Sequence, residues 1–146
     1  MTDGPGMAQE APRAAPRGDT GGGLRLFLAG DVMTGRGIDQ VLPHPGDPRL
    51  FEGHMRSALG YVELAERANG PISRPVAFEY PWGVLLEELA RRRPARRIVN
   101  LETAVTTACE AEPKGINYRM HPDNLPVLRA AGIDACVLAN NHVLDW

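Results

Sequence analysis

The sequence predicts an α/β fold with a mostly parallel sheet and crossover helices. Three observations lead there. Short apolar runs near residues 24–29, 97–101 and 135–139 read as strands. Amphipathic helical stretches lie between them, and a strand, helix, strand order implies parallel pairing with right-handed crossovers. Each apolar run then gives way abruptly to polar residues. Ligands of open α/β sheets bind outside the carboxyl ends of the strands, so these three ends are where chemistry is expected.

Residues 1–23 are rich in Gly, Pro, Ala and Thr with scattered charges. Such a stretch buries too little apolar surface to offset its ordering entropy, and a disordered tail is expected there. Residues 24–146 form the expected domain. Leu24, Leu26, Phe27 and Leu28 make the first strand, to about Ala29, and the run fits a strand covered on both faces. Thr34 to Gly37 reads as a loop with two glycines, and Pro43 to Pro48 as an irregular loop. A helix is expected from about Pro48 to Ala68, because Phe51, Met55, Leu59 and Val62 recur at three- and four-residue spacing. Asn69-Gly70-Pro71 stops it.

Residues 71–81 read as a second irregular loop. The next helix is expected from Trp82 to Arg93, with Trp82, Leu85, Leu86 and Leu89 on one side and Pro94 at its end. Arg97 to Leu101 is a short strand. Thr103 to His121 reads as a long loop. Pro122-Asp123 opens a third helix, with Leu125, Leu128 and Ala131 facing inward and Gly132 as its C′ residue. Ala135 to Ala139 is the third strand.

Composition narrows the partners. The 146 residues carry 16 Lys+Arg against 18 Asp+Glu, for a net charge of −2. That balance gives no reason to expect nucleic acid or an anionic membrane surface as a partner. The basic run Arg91 to Arg97 suits a helix C-terminus, where cations complement the macrodipole. No stretch is long and apolar enough to span a bilayer, and the N-terminus lacks the apolar region of a secretory signal. Read literally, the chain is cytoplasmic; a mis-called start codon or a lost upstream anchor would make it membrane-associated or extracytoplasmic. Of its two cysteines, Cys136 lies in an apolar run and is expected buried, and Cys109 lies in a polar loop. Neither a disulfide framework nor a Cys-based metal site is expected.

Asp31, Glu102, Asn141 and His142 all follow strands. Oxygen and imidazole donors from separate strand ends suit a hard or borderline divalent cation. Taken singly, Asp31 is a common turn residue, Glu102 a solvated carboxylate, Asn140-Asn141 a turn pair and His142 a structural histidine. Their shared position is what favours a site. His142 then faces substrate, stabilising a developing oxyanion or protonating a leaving group, and Asp145, three residues on, orients its other ring nitrogen. The alternative is that His142 caps the turn. His44, His54 and His121 have no ligand spacing and are expected to be structural or exposed. Gly30 to Gly37 does not match a nucleotide loop.

Four motifs carry a family resemblance: Gly30-Asp31-Val32-Met33-Thr34-Gly35-Arg36, Asn100-Leu101-Glu102-Thr103, Tyr118-Arg119-Met120-His121-Pro122 and Ala139-Asn140-Asn141-His142-Val143-Leu144-Asp145. In this order they resemble the CapA family of poly-γ-glutamate capsule biosynthesis proteins, whose fold is similar to the calcineurin-like metallophosphoesterases. The resemblance implies an α/β sandwich with a two-metal site, Mn²⁺ or Mg²⁺ being the expected ions. By it, Asp31 takes the first-motif aspartate, Glu102 the bridging carboxylate and Asn141 the metal-binding asparagine. His142 takes the phosphate-facing histidine, and Met33 stands where phosphoesterases carry a histidine ligand. Family members continue well past this point, so the resemblance implies an N-terminal piece with later ligands missing and weak metal binding. The partner it implies is an anionic polymer or a phosphorylated small molecule, together with other capsule-synthesis proteins. Three functions are consistent with the sequence: a phosphoesterase-like enzyme, a non-catalytic accessory or acidic-polymer-binding protein, and an inactive truncated product.

Overall fold

The computed structural model describes residues 23–146. The expectation of a disordered tail therefore falls, but for Gly23, outside the described residues. Three strands form one parallel sheet in the order β1 (Leu26–Val32), β2 (Arg96–Leu101), β5 (Ala135–Val137). Register aligns Leu28 with Ile98 and Ala29 with Val99, then Ile98 with Ala135 and Val99 with Cys136. A second, two-stranded parallel ladder joins β3 (Ala104–Val105) to β4 (Arg119–Met120). The α/β class and the parallel pairing agree with the sequence reading. The β3–β4 ladder inside the long loop was not anticipated, because two-residue strands leave no period to read.

Side chains alternate across a strand. One face of the sheet carries Val99, Leu101 and Cys136. It packs on a core of Val41, Leu42, Val62, Val76, Met120, Val127 and Leu128. Burial raises the pKa of the Cys136 thiol. The other face carries Leu26, Leu28 and Val137, all exposed, with Leu28 at 66%. The expectation that β1 is covered on both faces is thus corrected. Its apolar run is continuous, but only the face toward the core has neighbours among the described residues.

The helices correct the sequence reading in four places. Residues 36–41 form a six-residue helix, α1 (Arg36–Val41), whose first two residues fall in the loop expected over Thr34 to Gly37. Six residues are too few for a helical period to show. Residues 48–58 form a tight loop instead of the first turns of a long helix. The Leu50 N–H donates to the Arg56 carbonyl, and the Ala58 N–H donates to the Pro48 carbonyl. Apolar spacing there mimics a helix, but Glu52 is drawn inward to Arg36 and the chain must turn to allow it. Helix α2 (Leu59–Asn69) starts where the Ser57 hydroxyl accepts the Leu59 N–H, and ends at Gly70 with φ +89°.

A 3-10 turn, Tyr80–Trp82, precedes α3 (Leu85–Arg92), and Gly83 at φ +50° separates them. Arg91 and Arg92 occupy the last turn of α3 and both pair with Glu88. Those contacts pull the Glu88 pKa down to about 2. The third helix comes in two parts, a 3-10 turn Pro122–Asn124 and α4 (Pro126–Ala130). Leu128 and Ala131 are buried as expected, and Gly132 has the positive φ of a C′ residue. Leu125 is exposed at 39%, against expectation, because it lies at the junction of the two turns. No helix of the described residues is long and apolar enough to cross a membrane.

One buried acid holds this arrangement on the α1 side. Asp39 is 2% exposed. Its Oδ1 accepts from the His121 N–H at 2.9 Å and from Asn124 Nδ2 at 2.8 Å, and its Oδ2 accepts from the Gly46 N–H at 2.7 Å. A single side chain thereby ties α1 to the Pro-rich loop and to the start of α4. Removing it leaves several buried donors unpaired, and each such group costs about 1–3 kcal/mol. Asp39→Ala is expected to destabilise the chain by about 2–4 kcal/mol. Urea unfolding should show a lower midpoint at unchanged slope.

Candidate functional site

The three strand ends converge through side-chain hydrogen bonds. β1 becomes irregular between Ala29 and Val32, and there Asp31 adopts φ +51°, a left-handed conformation uncommon for a residue other than glycine. Its Oδ1 accepts from Asn100 Nδ2 at 3.3 Å. Asn100 Oδ1 accepts in turn from Asn140 Nδ2 at 2.9 Å, and Asn140 Nδ2 also reaches the Leu101 carbonyl at 3.0 Å. Asp31, Asn100 and Asn140 are thus one chain of contacts across β1, β2 and the segment after β5. The Glu102 N–H donates to the Val32 carbonyl at 3.0 Å, which brings Glu102 to the same edge.

The Asp31 and Glu102 carboxyls are neighbours at this edge. That contact, helped by burial and by the charge on Asp31, raises the Glu102 pKa above the usual carboxylate value. Two apposed carboxyls with hard oxygen donors fit a divalent cation, which would replace their mutual repulsion with attraction. The set is short of ligands: no group of three or more His, Cys, Asp or Glu among the described residues is arranged to hold a metal ion. Met33 supplies no such donor. Its sulfur accepts the Gly35 N–H at 3.1 Å, and the side chain lines an apolar cavity of about 290 Å³ with Ile38, Val41, Tyr61 and Val62.

His142 is buried beside this pair. Nδ1 lies 2.6 Å from Asp145 Oδ2, and Nε2 lies 3.7 Å from Glu102 Oε1. The carboxylate can only accept, so Nδ1 carries the proton toward Asp145 and Nε2 is left for chemistry on the Glu102 side. Asp145 is fully buried. Its charge is met by three groups: His142, the Tyr118 N–H at 2.6 Å, and the ammonium of Lys114, the only lysine in the sequence. The sequence-based pairing of His142 with Asp145 is what the structure has.

Asn141 stands apart from that cluster. It is exposed, its carbonyl accepts from Lys114, and its side-chain amide makes no hydrogen bond among the described residues. The neighbouring Asn140 holds the turn, its Oδ1 accepting the His142 N–H at 3.0 Å. Sequence reasoning missed Asn100 and Asn140 as the ties between strand ends. It also missed Lys114, Tyr118 and Arg36. Tyr118 stacks on the His142 ring with centroids 3.9 Å apart, and the Arg36 guanidinium lies 4.5 Å from the Tyr118 centroid. The lone lysine and the tyrosine at the head of the third motif were visible, but nothing in their spacing ties them to His142. Of the three histidines set aside, His54 is exposed and lies 3.2 Å from the Tyr61 hydroxyl, while His121 caps the 3-10 turn through Nδ1.

Strand ends joined around two carboxyls and a carboxylate-backed histidine define a member of an α/β family with a polar, acid-rich site. The family model that matches is that of the bacterial capsule synthesis protein PGA_cap, over residues 25–146, and the chain belongs to this family. Two similar proteins come from Mycobacterium tuberculosis, strains CDC 1551 / Oshkosh and ATCC 25618 / H37Rv. Each bears the name "Probable polyglutamine synthesis accessory protein" and is 52% identical over 124 residues. The match covers 84% of this chain and 33% of theirs, so the chain spans about a third of their length. No solved structure gives a significant match.

The Lys114–Asp145 pair supplies a direct test of the site's framework. Breaking a buried pair by removing one partner strands the other charge. Lys114→Met is expected to destabilise the chain by about 1–3 kcal/mol, Lys114 itself being partly exposed. Lys114→Arg should recover most of the loss. Thermal melts of the three proteins at one pH and salt concentration check this.

Proposed function

We propose that this chain carries part of a divalent-cation site used in making or handling an anionic polymer, with phosphoesterase-like chemistry. The observation that supports it most is the Asp31–Glu102 carboxyl pair with His142 Nε2 3.7 Å from Glu102. Asp31 and Glu102 would hold the cation, with Mn²⁺ or Mg²⁺ suited to oxygen donors; Asn141, the third ligand that the family resemblance implies, would join them only on an inward movement of its exposed turn. When bound, the ion supplies Lewis-acid polarisation of a substrate oxygen.

The chain's own residues do the rest. Asp145 keeps the proton of His142 on Nδ1, so Nε2 is placed to hand a proton to a leaving oxygen or to take one from an attacking group. Burial of the His142 and Asp145 side chains lowers the local dielectric and strengthens that interaction. The substrate is an anionic polymer or a phosphorylated small molecule, and other proteins of capsule synthesis are the expected partners. These are readings of the whole protein, supported by the family and by the printed names of relatives three times as long as the match.

A second reading is an accessory protein that binds acidic polymer without turning it over. Met33 favours it, because a thioether stands where a phosphoesterase carries a histidine ligand. Mn²⁺ calorimetry and turnover of p-nitrophenyl phosphate separate the two. On the first reading, Asp31→Ala and Glu102→Ala each lower the amount of Mn²⁺ bound. His142→Asn cuts turnover by about 10²-fold or more while Mn²⁺ binding stays the same. Unchanged Mn²⁺ stoichiometry in both carboxylate variants would remove the cation assignment. Normal turnover by His142→Asn in its folded fraction would make His142 structural.

A further inference from the structure

Four flat side chains from four parts of the chain lie one against the next. Tyr61 comes from α2, Arg36 from the start of α1, Tyr118 from the residue before β4 and His142 from the turn after β5. The Arg36 guanidinium lies 5.0 Å from the Tyr61 centroid and 4.5 Å from the Tyr118 centroid. Tyr118 stacks on the imidazole of His142 at 3.9 Å, with 24° between the planes. A cation over a ring face and an offset-stacked ring pair are both favourable contacts.

Arg36 is fixed at its base. Its Nε sits 2.7 Å from Glu52 Oε1, and Glu52 is 1% exposed. The other Glu52 oxygen accepts from the Tyr61 hydroxyl, so the acid holds the guanidinium and the ring on which it lies. The Arg36 backbone has φ +48°, a left-handed conformation that costs energy for any residue with a side chain. Just before it, Gly35 presses on the residue that follows Tyr118: a Cβ at Gly35 would fall 2.7 Å from the Arg119 carbonyl oxygen. Backbone and side chain together set Arg36 over Tyr118.

A hydrogen bond from Nδ1 to Asp145 fixes one point of the imidazole and leaves the tilt of its ring free. A flat neighbour removes that freedom. We propose that Tyr118, with Arg36 acting through it, is a positioning residue that fixes the plane of the His142 imidazole and keeps Nε2 directed toward Glu102. The catalytic consequence rests on the function proposed above for His142; the stack itself does not. Arg36 suits this place better than a lysine, because a guanidinium can keep its ion pair with Glu52 while covering a ring with a broad planar group, and an ammonium is a point charge.

The test uses the full 146-residue chain with isotope-labelled histidine and His142→Gln to assign the His142 ring signals by NMR. In the parent these protons are shifted upfield by the Tyr118 ring. Tyr118→Phe keeps the shift. Tyr118→Leu abolishes it, and Arg36→Lys moves it toward the unstacked value although charge and fold are retained. An unshifted His142 in the parent, or the same shift in folded Tyr118→Leu and Arg36→Lys, overturns the proposal. If Tyr118→Leu does not fold by circular dichroism, Arg36→Lys decides. In parallel, turnover of p-nitrophenyl phosphate with Mn²⁺ should fall about tenfold or more in Tyr118→Leu and Arg36→Lys at unchanged KM, and Tyr118→Phe should restore it. A parent chain with no turnover counts against the phosphoesterase reading, and the NMR result still decides the stack.

Discussion

A fully buried carboxylate, Asp145, is the constraint on which this end of the molecule depends. A charge taken out of water is very costly unless it is paired and hydrogen-bonded. Asp145 therefore needs donors, and the fold brings them from distant parts of the chain. Lys114 and the Tyr118 N–H come from the long segment between β3 and β4, and His142 comes from three residues back. The Asp145 carbonyl also accepts, from the Glu112 N–H and from Asn117 Nδ2. Satisfying one acid thus folds the 112–118 segment over the strand ends and places Tyr118 against His142.

Asp39 plays the same part three residues further along this segment, accepting the His121 N–H and collecting donors from the Pro-rich loop and from Asn124. At the strand ends the case differs. Their own acids, Asp31 and Glu102, are not closed off in this way. They face each other, and like charges held together store unfavourable energy that a cation or a proton relieves. Acids paired with donors and cations build the frame; the pair that faces another carboxyl is the one available for chemistry.

The strands were legible in the sequence because the apolar runs at residues 26–29 and 135–139, and the shorter Ile98-Val99 before Leu101, are bounded by polar residues and have few alternatives in a chain of this kind. The convergence of Asp31, Glu102 and His142 was legible for the same reason, since parallel strands put all their carboxyl ends on one edge. The His142–Asp145 pair could be read from a three-residue spacing in a turn. Other features depended on partners far away in sequence. Residues 48–58 have a helical apolar period, yet the ion pair between Glu52 and Arg36 bends them into a loop. Tyr118 and Arg36 become neighbours of His142 only through folding of the β3–β4 region. Asn140 and Asn141 are identical in type, and only the hydrogen bonds to Asn100 and Leu101 show which of them ties the strands. The open face of Leu26, Leu28 and Val137 has the same composition as a covered one, so burial could not be read from it.

The central claim is that Asp31 and Glu102 together form a cation site at the joined strand ends. Anomalous diffraction at the manganese edge, from crystals of this chain soaked in Mn²⁺, tests it most directly. The account expects one dominant anomalous peak within coordination distance of a carboxyl oxygen from each of the two residues. A map with no peak there at saturating Mn²⁺ would contradict it.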